Sequence, residues 1–147
     1  MKKIMFVCTG NTCRSPMAEY ILKDLLKKAE REDVKVTSAG IMANEEDKIS
    51  KKSSIALKNM GITVRRFKPK RPTEELCRRQ NAIICMSNSH KKYFVGFPNV
   101  YSINELTGLG EIEDPYGKDQ TAYDQCANQL LSSCKIIFEM LFAEENG

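Results

Sequence analysis

Cys8 and Arg14 flank five residues in the run VCTGNTCRS, and a thiol and a guanidinium at this spacing suit phosphoryl transfer. Cysteine attacks as its thiolate, which neighbouring positive charge favours. The planar fork of Arg14 can bind two phosphoryl oxygens and stabilise the charge spread over them in the transition state, a geometry lysine lacks. Ser15 comes next, placed to donate a hydrogen bond to the Cys8 sulfur and equally placed to cap a helix. Between them, Thr9, Gly10, Asn11, Thr12 and Cys13 would wrap the phosphoryl group. Gly10 permits tight curvature, and Asn11 tolerates a left-handed bend better than most residues. The spacing alone recurs by chance in many chains, so its weight depends on the elements around it.

Those elements are a strand and a helix. Lys2 to Val7 (KKIMFV) reads as a short, nearly continuous apolar strand, followed by the turn residues Gly10 and Asn11. Pro16 stands where the first turn of a helix accepts it, and apolar side chains recur at helical spacing from Met17 through Ala29. A loop entering a helix in this way turns backbone N–H groups and the positive end of the helix dipole toward one point, a nest for a tetrahedral oxyanion.

The alternation continues with a strand from Val34 to Ser38, ended by Ala39 and Gly40, and a helix from Ser53 to Met60 stopped by Gly61. Thr73 can cap a helix through TEELCRRQ, and Ala82 to Met86 has the unbroken apolar character of a strand buried on both faces. Val100 to Ile103 reads as a further strand, and about Ala122 to Ala143 as a long last helix. Strands alternating with helices predict an α/β fold: a three-layer, doubly wound parallel sheet of about four strands with helices on both faces. Ligands of such sheets bind at the carboxyl ends of the strands near the topological switch. With no repeat or Pro/Gly-rich linker, one domain over residues 1–147 is expected.

Composition agrees with a soluble globular chain: 147 residues, 41% hydrophobic and 29% charged. The net charge of +4 is a mild excess that suits acidic or phosphorylated partners. Five basic side chains crowd RRFKPKR, from Arg65 to Arg71, and read as a solvated loop that can also steer an anionic substrate. Zinc spacing, a periodic basic face and repeated aromatic platforms are all missing, so no nucleic-acid partner is expected. The apolar segment after Lys2 and Lys3 is too short for a membrane span or an export signal, so a cytoplasmic protein with no membrane partner is expected. Its six cysteines (Cys8, Cys13, Cys77, Cys85, Cys126 and Cys134) should then be free thiols.

At VCTGNTCRSPMAE the chain resembles the low-molecular-weight protein tyrosine phosphatase family, which shares the pattern V-C-x-G-N-x-C-R-S-P. TSAG (Thr37 to Gly40), AIICM and EDPYG (Glu113 to Gly117) extend the likeness in the family's order. The resemblance implies a cysteine-dependent protein phosphatase acting on a phosphorylated protein through a cysteinyl-phosphate, with no metal or other cofactor. It casts Cys8, Arg14 and Asp114 as catalytic, with Asp114 protonating the leaving group and then activating water. Asp-Pro pairs are also common turn initiators, and Glu113 next door is an alternative acid. Ser38 resembles the serine that supports the loop asparagine. Cys13 resembles the family's second thiol, able to form a reversible disulfide with the nucleophile, or is a small packed side chain.

Within the family, Thr12 stands where tyrosine phosphatases usually carry an aliphatic residue, and resembles the bacterial protein-arginine phosphatases. Its hydroxyl can narrow the pocket and orient water, or its methyl can simply pack. Tyr116 offers one aromatic wall, while the family's other wall, in the loop after SAG, here holds Met42 and no aromatic. Both features favour phosphoarginine over phosphotyrosine. Phe67 stands where a supporting histidine is expected, and His90 is expected at the surface. The competing reading is a thioredoxin-coupled arsenate reductase, which needs two further relay cysteines. Cys77 and Cys85 are available, one reading as helical and the other as buried in a strand.

Overall fold

The apolar run ahead of the loop forms strand β1 (Lys2–Cys8) in a computed structural model that describes residues 2–143. From Ile4 to Cys8 every residue of β1 is buried, because both faces of the strand are covered. Ile4 and Phe6 face a core shared with α1 (Arg14–Lys28), α2 (Lys51–Asn59) and α5 (Gln120–Leu141). Met5 and Val7 point the other way, toward Cys77 of α3 (Glu74–Arg78) and Phe94 of a 3-10 helix (Asn88–Phe94). Period-two alternation thus feeds two apolar layers, each fully buried large side chain contributing about 1.5–3 kcal/mol relative to exposure.

Three further strands, β2 (Val34–Gly40), β3 (Ala82–Cys85) and β4 (Val100–Ser102), complete a four-stranded sheet in the order β2-β1-β3-β4. All pairings are parallel; Cys8 lies opposite Gly40, and Val7 opposite Cys85. The chain leaves β1 for β2 on one side and returns to β3 on the other, which makes the carboxyl end of β1 the switch point. The expected α/β architecture is the one observed.

Element ends follow from caps. Ser50, Thr73 and Asp119 each accept a hydrogen bond from the N–H three residues on, starting α2, α3 and α5. Ser102 forms a capping box with Glu105, which stops β4 one residue before the expected Ile103 and starts a short α4 (Ile103–Thr107). Gly61 follows α2 at φ 83°, the left-handed conformation that closes a helix. Only α1 differs in kind: its N-cap is Cys13, and no side chain caps it. Ser15 is the second residue of this helix rather than its cap. Among the described residues no helix is long and apolar enough to cross a membrane.

Candidate active site

The uncapped end of α1 meets the carboxyl end of β1, and the loop between them, residues 9–13, curls around Cys8. Asn11 turns the chain at φ 56°, the left-handed bend its side chain tolerates. That side chain is fully buried and bonded on every side. Asn11 Nδ2 donates to Ser15 Oγ at 2.8 Å and to Ser38 Oγ at 3.0 Å, while its Oδ1 accepts from the Lys70 N–H at 3.0 Å. Ser38 Oγ in turn donates to Glu19 Oε1 at 2.6 Å, and Glu19 Oε2 accepts from Lys23 Nζ at 2.6 Å.

These bonds have a direction. A carboxylate only accepts, so Glu19 takes the Ser38 proton, Ser38 Oγ accepts from Asn11, and Ser15 Oγ accepts the second Asn11 hydrogen. The Ser15 proton is then left for the Cys8 sulfur at 2.9 Å, nearer than the alternative Ala39 carbonyl at 3.4 Å. A buried acid 11 residues from the nucleophile in sequence therefore orients a donor onto the sulfur. Nothing in the spacing singles out Glu19, whose place on the helix face next to Ser38 exists only in the fold.

Arg14, 7% exposed, opens α1 and donates from Nη1 to the Ile112 carbonyl at 3.0 Å. Its Nη2 lies 3.6 Å from Asp114 Oδ2. Because the Asp114 side chain is 49% exposed, this ion pair contributes at most about 1 kcal/mol and leaves the carboxylate free to turn toward a bound group. Asp114 Oδ1 also accepts from the Tyr116 N–H at 3.1 Å, so the turn-forming role of Asp-Pro is real and coexists with its place at the site. Glu113 is occupied elsewhere, by an ion pair with Lys118 that holds its carboxyl below the usual range.

A cavity of about 270 Å³ opens over the loop. The loop residues Cys8, Thr9, Gly10, Thr12, Cys13 and Arg14 line it, joined by Asp114, Tyr116 and Asp47 from other segments. Met42 was expected as a wall of the site and is not among them. The Met42 N–H donates to the Thr9 carbonyl at 2.8 Å, and its side chain is 61% exposed to solvent. Five residues further along, the same segment reaches back over the cavity with Asp47.

The floor is braced from three neighbours. Ile41 N–H donates to the Cys8 carbonyl at 3.0 Å, and Ser50 N–H to the Thr12 carbonyl at 2.9 Å, which ties both ends of the β2–α2 segment to the loop. Gly40 has no room for a side chain: a Cβ there would sit 2.6 Å from Asn11 N and 2.7 Å from the Thr9 carbonyl. On the remaining side His90, expected at the surface, is 4% exposed. Its Nε2 bonds Thr9 Oγ1 at 3.1 Å and its Nδ1 bonds Ser87 Oγ at 3.0 Å. Burial and the nearby Arg14 charge lower its pKa from 6.5 to about 4, so the ring is neutral. The expected histidine position is filled otherwise: Phe67 meets the edge of Tyr20, and the Lys70 backbone, accepting from Gly40 N–H at 2.9 Å, braces Asn11.

All six cysteines are free and buried. Cys13 Sγ lies 3.5 Å from the Tyr123 hydroxyl, whose pKa burial and this contact raise. Cys77 and Cys85 belong to the core layer on the opposite side of the sheet from α1, and burial pushes both thiols up, Cys85 to about 12. A thiol held protonated is a poor partner for disulfide relay, which disfavours the reductase reading.

Comparison with known proteins agrees with this geometry. The family model described as low molecular weight phosphotyrosine protein phosphatase matches residues 3–146. A protein-arginine-phosphatase of Bacillus subtilis is 35% identical over 136 residues, spanning 86% of this chain and 88% of that one. The low molecular weight protein-tyrosine-phosphatase PtpB of Staphylococcus haemolyticus is 32% identical, over 88% and 92% of the two chains. Among solved structures, a YwlE arginine phosphatase mutant with a phosphorylated active site serine superposes with a TM-score of 0.88 at 30% identity over 95% of each chain. The chain belongs to the low molecular weight phosphotyrosine protein phosphatase family and is a cysteine-dependent protein phosphatase.

Proposed function

We propose that this phosphatase hydrolyses phosphoarginine in protein substrates through a cysteinyl-phosphate on Cys8, with phosphotyrosine the competing substrate. In the first step the Cys8 thiolate attacks phosphorus, an S–P bond forms and the P–N bond breaks. The leaving nitrogen takes its proton from the Asp114 carboxylic acid. In the second step water attacks phosphorus, gives its proton to the Asp114 carboxylate, and the sulfur departs as thiolate with the Ser15 hydroxyl donating to it. Arg14 and the N–H groups of the loop hold the equatorial oxygens throughout, where charge spreads in the transition state. The phosphorylated serine of the solved relative supports a covalent route, since its phosphoryl group rests on an active-site side chain of that protein.

The observation that carries the choice of substrate is Thr12, which lines the same cavity as Cys8 in a site with a single aromatic wall. An aryl ring gains most when sandwiched, and among the described residues Tyr116 is the one aromatic that lines this cavity. The Thr12 hydroxyl adds a polar edge to the floor, which suits a guanidinium better than a ring. The test compares kcat/KM on phosphoarginine and phosphotyrosine peptides for the wild type and Thr12→Ile. The phosphoarginine-to-phosphotyrosine ratio should fall by about tenfold or more in the variant, the size of one lost polar contact. A ratio that does not move sinks the argument from Thr12.

A further inference from the structure

Asp47 lines the cavity over Cys8 together with Asp114 and Tyr116, and its carboxylate has no hydrogen-bond or ion-pair partner among the described residues. Its place is set by backbone. Within the segment the Asp47 N–H donates to the Asn44 carbonyl at 3.0 Å, and the Glu46 N–H to Asn44 Oδ1 at 2.9 Å, a tight turn. Outside it, the bonds from Ile41, Met42 and Ser50 to the carbonyls of Cys8, Thr9 and Thr12 fix both ends of the segment to the loop. The carboxylate is therefore carried by a segment bonded at both ends to the loop that holds the nucleophile.

An unpaired acid facing a phosphate-binding floor is unfavourable for the phosphoryl group itself, so a compensating positive charge on the substrate is the simplest reason for it. Phosphoarginine supplies one: its guanidinium is cationic, planar and attached directly to phosphorus, and presents N–H donors at the height of the cavity walls. Phosphotyrosine presents a neutral ring at that height and gains nothing from a carboxylate.

We propose that Asp47 is a specificity-determining residue that binds the guanidinium of the substrate in the cavity it shares with Asp114. The two carboxylates then share the cation, Asp114 on the nitrogen that departs and Asp47 on the remaining N–H groups. This inference rests on the phosphoarginine reading above and adds to it a residue outside the loop.

The experiment measures kcat/KM on matched phosphoarginine and phosphotyrosine peptides for the wild type, Asp47→Asn, Asp47→Glu and Glu46→Gln. Glu46 loses the same charge one residue away but does not line the cavity, so it separates contact from long-range field. Asp47→Asn should lower the phosphoarginine-to-phosphotyrosine ratio about tenfold, mostly through KM, as loss of one charge-assisted contact predicts. Asp47→Glu should recover part of it, and Glu46→Gln should leave it within about twofold of the wild type, its charge being screened by solvent. Raising salt from about 0.01 M to about 1 M should lower the wild-type ratio and leave that of Asp47→Asn flat. Thermal unfolding checks that each variant is folded. If the wild type fails on phosphoarginine peptides, the substrate reading falls and this inference with it. If it turns them over and Asp47→Asn keeps the wild-type ratio, or Glu46→Gln matches the fall, the inference alone is overturned.

Discussion

The rear of the phosphate loop and its mouth are built by opposite rules. Behind the loop, Asn11, Ser15 and Ser38 are wholly buried, Glu19 nearly so, and the hydrogens run outward from Asn11, through Ser38 to Glu19 and through Ser15 to the Cys8 sulfur. In front, Asp47, Asp114 and Tyr116 stand in solvent, tied by few bonds and open to a ligand. The buried side holds the reacting atoms in place, and a satisfied polar network of this kind rigidifies because every alternative leaves a group unpaired. In the proposed reaction the open side supplies Asp114 and meets the part of the substrate that differs between phosphoamino acids. Positioning of the nucleophile and contact with the outer part of a substrate are thus separated by about the thickness of one loop.

This contrast is tested most severely at the nucleophile. Cys8→Ser should lower turnover at least about 10⁴-fold on phosphoarginine and phosphotyrosine peptides alike, because it removes the attacking group whatever the substrate. A variant that kept hydrolysing either one would remove Cys8 from the mechanism.

Glu19→Gln asks whether direction matters as well as burial. The amide can donate, so Ser38 no longer has to give its hydrogen to residue 19 and can turn it toward Asn11, which disturbs the order of donors that leaves the Ser15 hydrogen for Cys8. A fall of about tenfold in kcat is expected, equal for both substrates, with the unfolding free energy lowered by about 1–3 kcal/mol for the disturbed buried bond. If instead the substrate ratio moved, the rear and the mouth would not be separable.

His90 gives the smallest effect on rate, and is read through stability instead. The folded ring stays neutral to about pH 4 while an unfolded histidine takes up a proton near pH 6.5. Between those values the unfolded chain binds more protons, so stability falls as pH falls, by on the order of 3 kcal/mol in all, and the loss ends below about pH 4. Denaturant titrations of wild type and His90→Gln at pH 7 and at about pH 4.5 check this, since the variant should lack that part of the slope. Parallel slopes would mean that the ring is not held neutral behind Thr9.

Much of this arrangement was legible in the sequence where function and chain order coincide. Cys8 through Ser15 form one segment between an apolar strand and an amphipathic helix, so their convergence follows from local structure alone. The buried strands and the long α5 were visible in the same way. The 3-10 helix at Asn88–Phe94 and the five-residue α4 were not, because so short a piece shows no period. Nor could the chain order reveal that Glu19 lies against Ser38, that His90 lies beneath Thr9, or that Asp47 and not Met42 closes the cavity. Each depends on which way a side chain points once two elements pack. The basic run from Arg65 to Arg71 is a loop, as its composition predicts, but only the fold brings its Lys70 backbone against the loop asparagine.

Gly40 shows how far the site extends beyond its own segment. The loop leans on the end of a neighbouring strand so closely that even a methyl group there would strike its backbone. The nine-residue phosphate motif is therefore not a portable cassette. Grafted between a strand and a helix of another protein, it would close only if the adjoining strand also ended in a bare backbone.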